Sequence, residues 1–261
     1  MSIYSEEHKR YLSKLKRNKI KVTIYRLLII VTIITIWQIL ANKNIINTFL
    51  FSSPKDVINT FIGLFKSNDL LSHIFITTYE VLISFIICTI FGLLLATILW
   101  LNDTLARVLD PYLTILNSLP KVALGPLIII WVGASTNSII FMALLISIFV
   151  SIINIYNAFK STNKSYIILL KSFGSNKFNI LTKIIYPANY QAIINTMKVN
   201  ISMCFVGVIM GELLVSKKGL GYLIMYGSQV FNINLVITSV IILGLLSYII
   251  YFLITKLEKK I

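Results

Sequence analysis

The sequence predicts an all-α membrane protein with six transmembrane helices, and two observations carry this prediction. First, 57% of the 261 residues are hydrophobic and only 13% are charged, whereas a soluble domain has about 45–50% apolar and about 25% charged residues. Second, the apolar residues are grouped into runs, and a helix needs a run of about 20 such residues to cross a bilayer. The composition therefore excludes an ordinary soluble domain.

The chain divides into a basic N-terminus (1–21), a single transmembrane domain (22–255) and a basic tail (256–261). The predicted spans are 22–41, 73–100, 105–132, 137–159, 188–215 and 232–255. The first run is longer than the core of about 7–15 residues in a signal peptide, and no small-residue cleavage site follows it. We therefore expect an uncleaved first helix.

A short helix is predicted between the first two spans. Ser53 is suited to cap its N-terminus, and Pro54 fits the first turn, where a missing N–H costs nothing. Apolar residues then recur on one face, which favours a helix lying in the membrane interface. They are Val57, Ile58, Phe61, Ile62 and Phe65.

The third span is predicted to be broken, because Pro120 and Pro126 flank Gly125 inside it. Proline within a span is tolerated where neighbouring helices or a cavity satisfy the freed backbone groups. Lys121 directly follows the first proline, so this segment could line a cavity.

The distribution of basic residues predicts the orientation. With both termini inside, the inner segments contain 17 Lys and Arg residues and the outer segments contain five. Cytoplasmic loops carry the excess of positive charge. The net charge of +15 therefore indicates membrane topology and not nucleic-acid binding, and both termini and the 160–187 segment are predicted to be cytoplasmic.

The 160–187 segment is a polar island between two apolar runs. It is predicted to form two short helical pieces, with a sharp turn at Gly174 and a stop or restart at Pro187. From charge alone it would be a solvated loop. Its spacing, however, resembles the coupling loop of bacterial ABC-importer permeases. The residues concerned are Lys171, Ser172, Phe173, Gly174, Ser175 and Pro187.

In that family the loop is a cytoplasmic helix-turn-helix that docks into a groove of the ATPase subunit. The resemblance therefore implies an ATP-binding-cassette ATPase as a partner. This sequence has Ile168-Leu169-Leu170 where the family's loop often has Glu-Ala-Ala, so a contact made by the family's glutamate is not expected here.

Ionisable residues inside spans are costly and are functional candidates by default. Lys121 could meet an anionic substrate or form a salt bridge with Glu80 or Glu212. Lys198 could extend its amine to the membrane surface, and Glu212 could cap the following turn or hold an external gate. The candidates for a translocation path are Glu80, Pro120, Lys121, Pro126, Lys198 and Glu212.

A second resemblance covers the chain from about Ser53 to its C-terminus. Glu212 followed by Gly219-Leu220-Gly221, the SPKDV stretch before the second span and the Leu119–Gly133 segment occur in the order found in permeases of the nitrate/sulfonate/taurine group. An apolar sixth span with a basic tail agrees with this order. At Glu80 the family more often has a basic residue, so a role in anion binding is not carried over to that position.

This resemblance implies a type I ABC-importer permease fold in a bacterial cell membrane. It also implies two permease copies, two ATPase subunits and an extracytoplasmic binding protein that delivers the solute. The solute would be a small anion such as nitrate, a sulfonate or taurine, or alternatively a vitamin precursor such as the thiamine pyrimidine or riboflavin. The sequence does not decide whether the two copies are identical.

Other function classes receive less support. The sequence has no GxxxxGK[ST] phosphate loop, and no nucleophile-and-base pair or His/Cys cluster points to catalysis or a metal. No catalytic residue, cofactor or metal is therefore predicted. An ion-coupled secondary transporter would use Glu80 or Glu212, but such carriers often contain an internal repeat, and none is evident here.

Overall fold

A computed structural model of the chain describes residues 6–67 and 69–258. All regular elements in this part of the chain are helical, which confirms the predicted all-α fold. Residues 1–5 of the predicted N-terminus and 259–261 of the predicted tail lie outside the described residues. The helices are α1 (Glu6–Asn42), α2 (Thr48–Phe51), α3 (Pro54–Lys66), α4 (Asp69–Leu101), α5 (Asp103–Ser118), α6 (Gly125–Val132), α7 (Thr136–Lys160), α8 (Lys164–Ser172), α9 (Lys177–Ile180), α10 (Tyr186–Ala188), α11 (Tyr190–Val215), α12 (Leu220–Gln229) and α13 (Ile233–Glu258).

Five helices of the described chain are long and apolar enough to cross a membrane, namely α1, α4, α7, α11 and α13. A sixth crossing requires α5 to act together with the segment Lys121–Val132, and these two pieces are bent by 82° relative to each other. The described residues therefore contain five candidate spans, or six if the bent pair counts as one.

The bend in the predicted third span lies at Pro120, just before a 3₁₀ turn at Lys121–Leu124. Pro126 does not produce it, because this residue occupies the first turn of α6, where a helix has no use for the missing N–H. A further proline, Pro111, lies inside α5 without ending that helix.

The centre of the fold is the packing of α4, α7 and α11. Its buried cluster includes Val81, Ala143 and Val208, and the free cysteines Cys88 and Cys204 lie in the same cluster as small apolar side chains. Glycines bring these helices close together. A Cβ at Gly207 would lie only 2.4 Å from the Cα of Ala143, so α7 and α11 touch through their backbones.

Helix α3 has the predicted N-terminus. The Ser53 hydroxyl accepts a hydrogen bond from the N–H of Asp56 at 3.2 Å, and Pro54 opens the helix. Val57 is buried, whereas the other apolar residues of the predicted face are exposed, namely Ile58, Phe61, Ile62 and Phe65. An exposed apolar face of this kind fits the predicted position in the membrane interface.

Helix α1 lies at the side of the bundle, and nearly all of its described side chains are exposed. It contacts α3 near its C-terminal end, where Gln38 accepts a hydrogen bond from the N–H of Lys55 at 3.1 Å. Because the rest of the described chain does not cover its apolar side chains, we expect lipid to surround this helix.

Candidate functional site

The 160–187 segment contains the predicted turn between two helical pieces. Gly174 has φ +73°, and its N–H donates to the carbonyl of Lys171 at 2.9 Å. The N–H of Ser175 donates to the carbonyl of Leu170 at 3.0 Å. This pair of bonds is the Schellman motif, which ends a helix at a left-handed residue and favours glycine there. The side chain of Asn176 then accepts from the N–H of Asn179 at 2.8 Å and caps α9.

The inner side of this segment is packed against the bundle. Ile180, Leu181 and Ile185 are buried in one cluster with Ala96 of α4 and Phe159 of α7. A π-helical segment, Leu181–Ile185, connects α9 to α10. Lys177 adds a hydrogen bond to the carbonyl of Leu101 at 3.0 Å and an ion pair with Asp103 at 3.5 Å. The segment is therefore fixed to α4 and α7.

Asn189 holds the two ends of the segment together. Its side-chain amide donates to the hydroxyl of Thr162 at 2.6 Å and to the carbonyl of Ile185 at 2.8 Å. Asn189 is buried, whereas Pro187 is exposed within α10. The chain restarts as α11 directly afterwards, as the proline predicted.

The outer side of the segment exposes a group of large apolar residues that we call the loop surface: Tyr166, Ile168, Leu169, Phe173 and Phe178. Phe173 is 76% exposed, and the neighbouring Lys171, Ser172 and Gly174 are exposed as well. Contiguous exposed apolar side chains with a polar rim mark interaction sites. The sequence analysis missed Tyr166 and Phe178, although their spacing around the turn could have indicated them.

Glu212 lies near the C-terminal end of α11. This end of the bundle is opposite to the 160–187 segment, and we call it the distal end. Its carboxylate accepts from the hydroxyl of Thr77 at 2.6 Å and from the N–H of Gly221 at 2.5 Å. The side chain is 1% exposed. Because Gly221 lies in the first turn of α12, the carboxylate also faces the positive end of that helix. Glu212 therefore caps the following turn, and its role at an external gate stays a prediction.

Two neighbouring N–H groups of this turn are held by α4. The N–H of Gly219 donates to Nδ1 of His73 at 2.8 Å, and the N–H of Leu220 donates to the hydroxyl of Thr77 at 2.8 Å. Gly219 itself has φ +114°, in a region that only glycine occupies readily. The sequence analysis did not single out His73, although residues four apart lie on one helix face, and that spacing relates it to Thr77.

Glu80 lies one turn further along α4 and is completely buried. Its carboxyl group interacts with the side chains of Glu212 and Thr136, although no hydrogen bond of ordinary length and angle reaches either oxygen from the described residues. Its carboxyl group lies near that of Glu212, close enough for direct electrostatic interaction. It lines a cavity of about 660 Å³, together with residues of the 134–136 turn, of α4 and of the 215–218 turn.

Lys121 and Lys198 do not join the two glutamates. The amine of Lys121 donates to the carbonyl of Asn117 at 2.7 Å and lies 5.7 Å from the ring centre of Phe149. The predicted alternative of a salt bridge with either glutamate is absent from the described part of the chain. Lys198 donates to the side chain of Asn195 on its own helix at 3.5 Å.

The described residues offer little for a metal. They contain no group of three or more His, Cys, Asp and Glu side chains placed to hold an ion. Cys204 lies 3.6 Å from the Ser147 hydroxyl in the buried core.

Comparison with known proteins identifies relatives of a large part of the chain. A family model described as "Binding-protein-dependent transport system inner membrane component" matches residues 88–261. The chain is 27% identical over 167 residues to the formylaminopyrimidine transport permease protein ThiX of Halalkalibacterium halodurans, covering 64% of this chain and 67% of that protein. It is 26% identical over 140 residues to the SsuC permease protein of Escherichia coli, which is named for aliphatic sulfonate transport, covering 54% and 53%.

A solved structure has the same fold. It shows inward-facing conformations of the MetNI methionine ABC transporter, with a TM-score of 0.66, 17% identity, and coverage of 75% of this chain and 97% of the other. The chain spans about half to two thirds of the length of the curated relatives that it matches.

Proposed function

Because the chain belongs to the family of binding-protein-dependent transport system inner membrane components, we propose that it is the permease subunit of an ATP-binding-cassette importer. In this role it forms the path of a solute across the membrane. ATP hydrolysis takes place on a separate ATPase subunit, and an extracytoplasmic binding protein delivers the solute.

The observation that carries this proposal is the 160–187 segment. Its inner side is fixed to α4 and α7, while its outer side exposes the loop surface. A segment built in this way can transmit movement, because force on the exposed side acts on two of the three central helices. Ile168 and Leu169 of the loop surface stand where the family's loop often has Glu-Ala-Ala. Docking of this chain therefore depends more on apolar contacts than docking of those family members does.

The docking role can be tested at Gly174. A Cβ at this position would meet nothing within 4 Å, so a side chain here starts in open space and its direct cost is the backbone strain at φ +73°. Gly174→Ala and Gly174→Trp share that strain, and only tryptophan adds bulk to the loop surface. We expect the alanine variant to keep ATP-dependent uptake in the complex reconstituted with its ATPase, and the tryptophan variant to lose uptake at least tenfold.

Two results would contradict this role. One is normal solute-stimulated uptake in the folded Gly174→Trp complex. The other is uptake by the permease alone, without ATPase or nucleotide, that collapses when a proton uncoupler is added. The second result would instead support a secondary carrier.

Pairing of two copies follows from the size of the bundle. Five or six spans are few to enclose a path for a polar solute, so two permease subunits, identical or different, would surround it. With the predicted orientation, the distal end faces the binding protein and the loop surface faces the cytoplasm of a bacterial cell.

For the solute, we propose a small organic molecule in the range from sulfonates to pyrimidine vitamin precursors. The support is the naming of two relatives, one for formylaminopyrimidine and one for aliphatic sulfonates. Lys121 is the candidate contact for an acidic group, since its side chain is only partly buried and no carboxylate neutralises it in the described structure. Mass spectrometry of what the cognate binding protein retains would identify the molecule, and a purely inorganic ligand such as nitrate would contradict this solute class.

A further inference from the structure

A second cavity lies beside the 160–187 segment, at the end of the bundle opposite to the distal end, and we call it the basic cavity. It has a volume of about 290 Å³ and is formed where α4, α5, α7 and α8 meet. Three basic residues from three of these helices line it, namely Arg107 of α5, Lys160 at the end of α7 and Lys164 at the start of α8. The fold therefore brings distant parts of the chain together into one cluster of positive charge.

The charge of this cluster is not neutralised within the described structure. Asp103 is the acidic residue among the described lining residues, and its carboxylate is paired at 3.5 Å with Lys177, which lies outside the lining. Arg107, Lys160 and Lys164 have no ion pair with a described residue. Because like charges repel one another more strongly where water is partly excluded, a bound anion would stabilise the cluster.

The helix ends show that one of these cations has no local reason for its position. Lys160 lies in the last turn of α7, where the helix dipole favours a cation. Lys164 is instead the first residue of α8, where the dipole disfavours a cation and favours an anion. An anion at this point would interact favourably both with the lysine and with the end of the helix.

The basic cavity also contains a hydrogen-bond donor that the described residues leave unused. Thr162 lines the cavity and is only 8% exposed. Its hydroxyl oxygen accepts a hydrogen bond from the side-chain amide of Asn189 at 2.6 Å, while its own proton has no acceptor among the described residues. A buried donor without a partner is unfavourable, and a phosphate group supplies several strong acceptor oxygens.

The position of the cavity indicates where a phosphate group would come from. Trp100 and Tyr156 line the cavity and are half-buried, and these two residue types are enriched at the membrane–water interface. Basic pockets between helices on the cytoplasmic side of a membrane bind anionic lipid headgroups. Exposed apolar side chains, on which acyl chains could lie, continue along α4 and α5 away from this end of the bundle: Leu94, Ile98, Val108 and Tyr112.

We propose that the basic cavity binds the phosphate group of an anionic phospholipid. Arg107, Lys160 and Lys164 compensate its charge, and Thr162 donates a hydrogen bond to a phosphate oxygen. The volume of about 290 Å³ is at the lower end of the range of about 300–1,000 Å³ for small-molecule sites, so the headgroup enters and the acyl chains stay outside. The proposal does not rest on the proposed function, because binding requires neither an ATPase nor transport.

The test uses Trp100 as a reporter, because it lines the cavity. The chain contains three tryptophans, and the double substitution Trp37→Phe/Trp131→Phe leaves Trp100 alone. This full-length chain is placed in phosphatidylcholine nanodiscs, in which phosphatidylglycerol with brominated acyl chains replaces an increasing part of the lipid. Bromine quenches tryptophan fluorescence only at short range, so the quenching reports lipid bound next to Trp100. Brominated phosphatidylcholine is the reference.

We expect phosphatidylglycerol to be preferred over phosphatidylcholine at this position about tenfold, because three cations favour the anionic headgroup. Arg107→Gln and Lys164→Gln should each lower that preference about threefold to fivefold. The matched control is Lys183→Gln, which removes a lysine of the same segment outside the cavity lining and should leave the preference unchanged. All three replaced side chains are exposed, so the variants should keep the fold.

Three results would overturn the site: equal quenching by the two lipids, a preference that both cavity variants leave unchanged, or a preference that Lys183→Gln lowers as much as they do. The third result would indicate general attraction to the membrane surface. If the two lipids quench equally and the cavity variants weaken binding of the ATPase subunit instead, the cavity belongs to a protein interface and the lipid proposal is wrong.

Inorganic phosphate distinguishes the lipid from a soluble source of the same chemistry. Added to the buffer, it should relieve the quenching by phosphatidylglycerol no more than sodium chloride of equal ionic strength does. Relief by phosphate alone would assign the cavity to a soluble phosphate compound and would overturn the lipid as its ligand.

Discussion

The turn at the distal end gives the most direct test of the structure, through Gly219→Ala compared with Gly133→Ala. Both glycines have similar backbone angles, φ +114° and ψ 168° for Gly219 and φ +83° and ψ 164° for Gly133. Holding alanine in this region costs about 1–3 kcal/mol at either position. They differ in their surroundings, since a Cβ meets nothing within 4 Å at Gly133 but would lie 2.3 Å from Oε1 of Glu212 at Gly219.

A carboxylate at the end of a free side chain would move aside at little cost. Glu212 is not free, because it accepts hydrogen bonds from Thr77 and Gly221 inside the protein. Displacing it leaves these two buried donors without an acceptor, at about 1–3 kcal/mol each. We therefore expect Gly219→Ala to destabilise the protein by about 2–6 kcal/mol more than Gly133→Ala does.

The measurement is the temperature at which the detergent-purified chain loses its monodisperse elution peak. With about 2–4 °C per kcal/mol for a chain of this size, Gly219→Ala should unfold about 4–24 °C below Gly133→Ala. Equal unfolding temperatures would refute the argument that the fixed Glu212 carboxylate makes the larger cost at Gly219. The double variant Gly219→Ala/Glu212→Ala provides a control, because without the carboxylate the added methyl group should cost no more than at Gly133.

Two further predictions concern the central helices and the 160–187 segment. Gly207→Ala should lower the unfolding temperature by several degrees, because its Cβ would meet the backbone of Ala143. In the control Gly244→Ala the new Cβ meets nothing within 4 Å, so this variant should be neutral or slightly stabilising. Equal effects of the two substitutions would contradict backbone contact between α7 and α11. Asn189→Ala should increase the rate of limited proteolysis within 160–187 several-fold, since it removes the bonds to Thr162 and to a carbonyl of the segment, and an unchanged rate would contradict its role as a tie.

The sequence was sufficient where the determinants are local. The cap at Ser53 and the left-handed turn at Gly174 follow from the conformational preferences of single residues, and the structure contains both. Helix lengths were harder to predict. The segment predicted as 22–41 lies inside a helix that begins at Glu6, because lysine and arginine are good helix formers and apolarity defines the extent of a span but not the start of its helix.

The distal site was only partly predictable, because its partners come from distant parts of the chain. Thr77 and Glu212 are 135 residues apart in sequence, and no local pattern states that one will bind the other. Of the two alternatives for Lys121, the salt bridge with a glutamate is absent from the described residues, for a related reason. An 82° bend precedes this lysine, and its amine is used by the carbonyl of Asn117.

The two functional regions are built on the same three helices, and this has a consequence for transport. The buried cluster under the 160–187 segment includes Ala96 of α4 and Phe159 of α7, while the distal turn is held by α4 and α11. Close packing prevents α7 and α11 from sliding past each other, since glycines place their backbones in contact, and tightly packed interiors move as units.

Under the proposed function, force at the loop surface therefore moves α4, α7 and α11 together, and the α12 turn moves with them. The two glycine substitutions should separate these roles. Gly207→Ala, which pushes α7 from α11, should impair ATPase coupling and lower the unfolding temperature together, because both depend on the packing of the shared helices. Gly174→Trp should affect coupling alone, since it leaves the packing of the three helices unchanged.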